Sequence, residues 1–199
     1  MGTEPVKLSV LVCGLYERLP VDGYASSGHA VTDLLFQAAE KPVEVLTLYD
    51  SATMSVGRKR NILLSIAQGE WFTFVDDDDE VADDYVPRLL QAIENAGDAG
   101  VICFPQRCYH ADTGEVEHCT YGLSLPYSKQ GDQWTGKPAH TQCWRTELVQ
   151  DCEFPEQNFR EDTGWVAKAT TAVSKEYRIA VDHPLYTYRF NPETSRTRG

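Results

Sequence analysis

The densest chemistry in the sequence is the run Asp76-Asp77-Asp78-Asp79-Glu80, which follows directly on the apolar segment Trp71–Val75. Carboxylates crowded at a strand end repel one another, and a bound divalent cation is the simplest relief. Hard oxygen ligands suit magnesium, manganese or calcium. While the backbone stays extended, Asp76 and Asp78 project to one side and Asp77 and Asp79 to the other, so Asp76 and Asp78 form one candidate pair. The alternative is a solvated acidic turn leading into a helix capped by Asp83 or Asp84. A calcium loop of the EF-hand type is excluded, since its sixth position falls on Val81 rather than glycine and its twelfth on Pro87 rather than glutamate.

A second carboxylate pair, Glu161-Asp162, stands just before a segment of helical pattern, where it could act as a helix cap or as a general base. Two histidines, His140 and His183, each lie close to a proline and are candidates for a site or for ordinary structural roles. Arg58 and Lys59 fall on the first turn of an expected helix, where solvated charges are the plain reading. The six cysteines (Cys13, Cys103, Cys108, Cys119, Cys143 and Cys152) have no paired CxxC spacing and read as reduced thiols. Cys103, Cys108, His110, His118 and Cys119 are too irregularly spaced to be read as a zinc site.

These groups must be positioned by the elements between them. Lys7–Cys13 reads as a branched apolar strand ended by Gly14, and His29–Ala39 repeats apolar residues at helical spacing. Pro42 precedes a second strand, Val43–Tyr49, and Gly57 a helix whose buried face is Ile62, Leu63, Ile66 and Ala67. Gly69 stops that helix before the strand Trp71–Val75. A helix over Asp84–Asn95 turns Val86, Leu89, Leu90 and Ile93 inward and leads to a strand, Val101–Pro105. Residues 106–140 are polar and aromatic, with Tyr109, Tyr121, Tyr127 and Trp134 among glycines, and predict loops and short strands. A last helix, Thr163–Ala172, precedes a strand, Tyr177–Val181, and a polar tail with Arg189, Arg196 and Arg198. Such alternation predicts an α/β fold with a central, mostly parallel sheet flanked by helices; ligands gather at the carboxyl ends of its strands, so Asp50 and Asp76 should share a rim.

The 199 residues, 42% hydrophobic, suit one domain with one core. Thirty acidic against eighteen basic side chains give a formal charge of −12, which opposes non-specific binding to nucleic acid or an anionic membrane. With no apolar run long enough to span a bilayer and no signal-peptide pattern at the N-terminus, a cytoplasmic protein is expected.

Gly57-Arg58-Lys59-Arg60-Asn61, followed by Ala67-Gln68-Gly69-Glu70 and by Trp71-Phe72-Thr73-Phe74-Val75-Asp76-Asp77-Asp78-Asp79, resembles the core signature of family 2 glycosyltransferases of GT-A (Rossmann-like) fold, approximately ARN, AxGe, an apolar strand and DxDD. Leu8–Val12 is similar to the first strand of that fold, and Val43–Ser51 to its second, which carries an aspartate for the nucleotide base. Arg160-Glu161-Asp162 is similar to the family's ED motif, and Pro184-Leu185-Tyr186-Thr187-Tyr188-Arg189 to its PLYxYR segment. The family's Pro-Thr-Tyr-Asn after the first strand is here Cys13-Gly14-Leu15-Tyr16, and Tyr49 replaces the first of its two aspartates after the second strand.

The resemblance implies a single catalytic domain over 1–199, with a nucleotide-sugar-binding half, 6–105, and an acceptor-binding half with a C-terminal tail, 106–199. It implies a nucleoside-diphosphate sugar donor, a uridine diphosphate (UDP) sugar being favoured. Asp50 and Arg60 would lie near the base and Asp76 near the ribose, with Asp77, Tyr16 and Arg189 also on the donor. Asp78, with Asp76 and His183, would hold Mn2+ or Mg2+ on the diphosphate; His140 is an equal candidate to His183. Asp162 would be the general base of an inverting displacement, with Glu161 its nearest competitor. The acceptor is expected to be a carbohydrate, a lipid-linked sugar or a protein, with modified DNA disfavoured by charge. A sugar nucleotidyltransferase would need a glycine-rich basic loop where Cys13–Arg18 stands, and a non-catalytic binding module would leave Glu161-Asp162 without purpose.

Overall fold

The computed structural model describes residues 4–18 and 29–192. Arg196 and Arg198 lie outside the described residues. In chain order the elements are β1 (Leu8–Leu15), a 3-10 turn (Tyr16–Arg18), α1 (His29–Ala38), β2 (Val43–Asp50), α2 (Val56–Ile66), β3 (Trp71–Asp76), β4 (Glu80–Val81), α3 (Tyr85–Asn95) and β5 (Val101–Cys103). There follow β6 (Gln106–His110), β7 (Val116–Tyr121), β8 (Ser128–Gln130), β9 (Gln133–Gly136), β10 (Cys143–Arg145), α4 (Thr146–Val149), α5 (Glu161–Ala172), β11 (Glu176–Arg178) and β12 (Tyr186–Phe190).

Six strands form the central sheet in the order β11-β5-β10-β3-β1-β2. The pairs β2–β1, β1–β3 and β5–β11 are parallel, and β10 runs antiparallel between β3 and β5. The period of two along each strand divides the interior into two cores. Leu8, Val10 and Val12 of β1, with Trp71 and Val75 of β3, pack with α1 and α3 residues such as Leu34, Val86 and Leu89. Leu11, Phe72 and Phe74 face the opposite way, towards Leu63 of α2 and Trp165 of α5. On that side the Phe154 ring stacks on Trp165 at 4.9 Å and meets the edge of Phe74 at 5.4 Å. Helices thus cover both faces of a mostly parallel sheet, the expected α/β fold.

A second sheet, β4-β12-β6-β7-β9-β8, gathers the segments expected as loops and short strands. Part of the expected tail, including Arg189, is strand β12, parallel to β6 and antiparallel to β4. The two sequence halves interleave: β10 and β11 return to the central sheet, while β4 leaves the first half to pair with β12.

Two expectations are corrected. Strand β1 runs through Gly14 to Leu15; glycine is required there because a Cβ would lie 2.3 Å from both the Asp77 carboxylate and the Tyr49 ring. Of the expected apolar stripe helix α2 fully buries only Leu63, with Ile62 and Ala67 half-buried and Ile66 exposed, while Gly57, Lys59 and Arg60 are buried as well.

Candidate active site

Strand β3 delivers Asp76 to the rim, and the chain then turns, the Asp79 amide donating to the Asp76 carbonyl at 3.1 Å. The turn sorts its carboxylates by environment. Asp77 is buried, accepting from the Leu15 amide at 3.2 Å and from Arg18 at 2.7 Å, so it fastens the end of β1. Asp79 is buried as well, accepting from the Arg189 amide at 2.8 Å and from the Tyr186 hydroxyl, so it fastens β12. Asp76 and Asp78 keep part of their surface open.

Asp76 is held by Arg60 Nη2 at 2.8 Å, and Nη1 of the same guanidinium reaches Glu161 Oε1 at 2.7 Å. Arg60 is 3% exposed and lies between the Phe74 and Phe154 rings, 5.6 and 5.5 Å from their centroids. The residue expected beside a nucleotide base is thus a buried cross-link between β3 and α5. Burial opposes the charge of Asp76, yet Arg60 and His140 together hold its carboxyl well below the usual range. Asp50 is equally committed: its Oδ2 accepts from Thr53 and Met54, and its Oδ1 from Lys59 Nζ at 2.9 Å. Lys59, expected in solvent, is 2% exposed and also donates to the Gly14 carbonyl at 2.7 Å. Arg58 is exposed.

The carboxylates Glu161 and Asp162 begin α5, after Arg160 in the left-handed conformation at φ 57°. Neither is the cap. Glu161 is buried on Arg60, whereas the Asp162 side chain is 44% exposed and its Oδ1 accepts from the Thr163 amide at 2.7 Å. His140 sits between the two rim aspartates, with Nε2 3.7 Å from Asp76 Oδ2 and Nδ1 3.8 Å from Asp162 Oδ2. Among the described residues neither nitrogen has a hydrogen-bond partner, although both are buried.

His183 stands elsewhere. Its Nε2 is 2.9 Å from Asp84 and its Nδ1 3.0 Å from Asp182, at the start of α3, so both nitrogens are occupied away from the rim. Asp76, Asp78 and His183 do not converge as a ligand set; among the described residues the one triad of His, Cys, Asp or Glu whose ligand atoms lie within 4.8 Å of one another is Cys108, His110 and Glu117. The side chain of Arg189 turns to Glu80 and lies over the Tyr109 ring. Tyr16, 57% exposed, lies in the turn after β1.

Asp78 is the other partly open carboxylate of the turn. Burial first, and then the charges of Asp76 and Asp77, push its carboxyl up to about 6 against the pull of Arg18, 3.0 Å away. A divalent cation with few protein ligands and several phosphate or water oxygens would suit it, as is usual for magnesium. Nothing in the local sequence marks Arg18 as a partner of the acidic run; what identifies it is that a chain leaving β1 must pass the adjacent end of β3.

Residues 35–150 match the family model described as glycosyl transferase family 2. No curated protein sequence matches the chain. Among solved structures, S. aureus TarS residues 1–349 is similar with a TM-score of 0.64 and 18% identity, over 92% of this chain and 60% of that one. The same TarS segment in complex with UDP-GlcNAc gives 0.63 and 18%, over 93% and 59%. In complex with UDP it gives 0.61 and 19%, over 94% and 61%. At this identity the likeness is one of fold, and the chain spans about three-fifths of the length of those TarS structures. With the family model covering more than half of its residues, the chain belongs to glycosyl transferase family 2.

Proposed function

We propose that the protein transfers a sugar from a nucleoside-diphosphate sugar to an acceptor hydroxyl by a divalent-metal-dependent, inverting displacement. The observation that carries the reading is the line Asp76, His140, Asp162 at the strand ends, with Asp78 beside it and the His140 nitrogens unbonded. A uridine diphosphate donor is favoured because similar structures of TarS contain UDP-GlcNAc and UDP.

In this reading Asp162 accepts the acceptor hydroxyl's proton as that oxygen bonds to the anomeric carbon and the bond to the diphosphate oxygen breaks. Exposure of Asp162 and burial of Glu161 on Arg60 favour Asp162 as the base. His140, its Nδ1 3.8 Å from Asp162 Oδ2, faces the reacting groups between Asp76 and Asp162. Asp78, aided by Asp76, would hold Mn2+ or Mg2+, which supplies charge neutralisation at the leaving diphosphate. Residues 6–105 then serve mainly the donor, and 106–192 shape the acceptor site; a carbohydrate, lipid-linked sugar or protein suits the charge of −12 better than DNA.

The test is release of nucleoside diphosphate from a panel of nucleotide sugars with Mn2+, Mg2+ or chelator. Slow metal-dependent hydrolysis of one donor, reduced at least about 100-fold in Asp78→Ala, is expected. Equal release in chelator would remove the metal from the reading, and no binding of any donor would remove the transfer itself.

A further inference from the structure

Strands β6 and β7 carry a constellation that the activity at the rim does not use. The period of two places Cys108 and His110 on one face of β6, and the antiparallel register sets Glu117 of β7 directly opposite Cys108. His110 Nε2 lies 3.6 Å from Cys108 Sγ and 3.4 Å from Glu117 Oε2. All three ligand atoms fall within 4.8 Å of one another.

We propose that Cys108, His110 and Glu117 form a zinc site, distinct from the rim carboxylates, with water completing a tetrahedron. With Zn–S about 2.3 Å and Zn–N or Zn–O about 2.0–2.1 Å, tetrahedral geometry gives S···N and N···O edges of about 3.5 and 3.4 Å. Both observed edges agree. A thiolate and an imidazole select zinc over magnesium or manganese, which the all-carboxylate rim favours instead. Glu117 is also held by hydrogen bonds, as ligating carboxylates usually are: Trp134 Nε1 donates to its Oε2 at 2.8 Å and Lys129 to its Oε1, while the His110 ring packs edge-on against Phe190 at 5.3 Å. The site would clamp β6 to β7 in the sheet whose strand β12 supplies the Tyr186 hydroxyl to Asp79. The irregular sequence spacing concealed it, because one ligand is a glutamate brought in by strand pairing rather than a cysteine or histidine.

The experiment strips the whole protein with chelator, restores one equivalent of Zn2+ or Co2+, and measures bound metal, thermal midpoint and absorption. One zinc per chain is expected, with a midpoint raised by about 5 °C at a hundredfold excess over Kd. The cobalt protein should show thiolate-to-metal charge transfer and the strong visible bands of a tetrahedral site. Cys108→Ser should abolish the charge-transfer band and lower zinc content at least tenfold, while Cys119→Ser and Asp78→Ala retain both. Cobalt bound to the unaltered protein without a charge-transfer band would overturn the assignment whether or not the variants fold, as would wild-type zinc content in Cys108→Ser or a stripped protein that takes up no zinc.

Discussion

Glu161 and Asp162 are adjacent carboxylates with opposite fates, and the left-handed Arg160 before them sets the direction in which each leaves the first turn of α5. Such a backbone costs a non-glycine residue about 1 kcal/mol or more, and it persists because the buried Arg60–Glu161 bond holds the turn. The two residues should therefore separate cleanly by measurement. Asp162→Asn keeps shape and loses the base, so transfer should fall at least about 100-fold with stability unchanged within about 0.5 kcal/mol. Glu161→Gln weakens a buried ion pair but leaves Arg60 on Asp76, so stability should drop on the order of 2 kcal/mol, less than the roughly 3–5 kcal/mol of a fully broken pair. Urea titration beside donor turnover reads both; full turnover in Asp162→Asn would reassign the base.

At the scale of elements, α2 shows how the site bends the usual rule of an apolar helix face. Its first turns lie over the ends of β1 and β2, where Asp50 is buried, so Lys59 and Arg60 face inwards as counter-charges and Leu63 is the main apolar contact. Burial opposes the charge on Asp50, but the bond from Lys59 and those from Met54 and Thr53 hold its carboxyl well below the usual range. That depressed carboxyl contributes stability above the ordinary carboxylate range, and the contribution is lost as pH falls through and below it. Lys59→Met should cost about 3 kcal/mol at pH 7 by leaving Asp50 buried and unpaired, and the deficit should narrow at pH 4.5 as the variant's Asp50 takes up a proton. Denaturant midpoints at the two pH values check this, and a loss under about 0.5 kcal/mol would mean that Thr53 and Met54 suffice. The strands β1 to β3 and helix α1 were legible in the sequence because each is one continuous period, and the acidic turn because its carboxylates are consecutive; helix α2 was legible as an element but not in the face it buries. Strand β10, three residues long, and the zinc triad were not, because their partners are 41 or more residues away or across a hairpin, and pairing has no local signature. His140 was legible only as one of two histidines; packing against Phe74 at 6.2 Å and the position between Asp76 and Asp162 distinguish it from His183.

In a molecule with a formal charge of −12, the rim carboxylates are perturbed in opposite directions. Asp77 and Asp79 are pushed upward chiefly by burial, and Asp78 up to about 6, while Asp50 and Asp76 are held low by cations. Between about pH 4 and 6 Asp78 of the folded protein takes up a proton that the unfolded chain has released, so this group favours the fold as the pH falls through that window. Below the usual carboxylate range the stability that Asp50 and Asp76 supply is lost in turn. Asp78 alone, with 35% of its side chain exposed, contributes on the order of 1 kcal/mol once solvent screening is allowed for. Metal-free protein should therefore show a higher thermal midpoint at pH 5 than at pH 7.5, a difference that the general self-repulsion of an acidic chain reinforces. Adding Mn2+ should raise the midpoint more at pH 7.5 than at pH 5, because a protonated Asp78 is a poor ligand, and most of that difference should vanish in Asp78→Asn. Asp78→Asn without metal should in turn be more stable than the unaltered protein at pH 7.5, since the neutral amide removes one of the crowded charges. Scans with and without Mn2+ at the two pH values test the whole arrangement: equal rises at both, or a rise that survives in Asp78→Asn, would show that the cation stabilises the fold from somewhere other than the acidic turn.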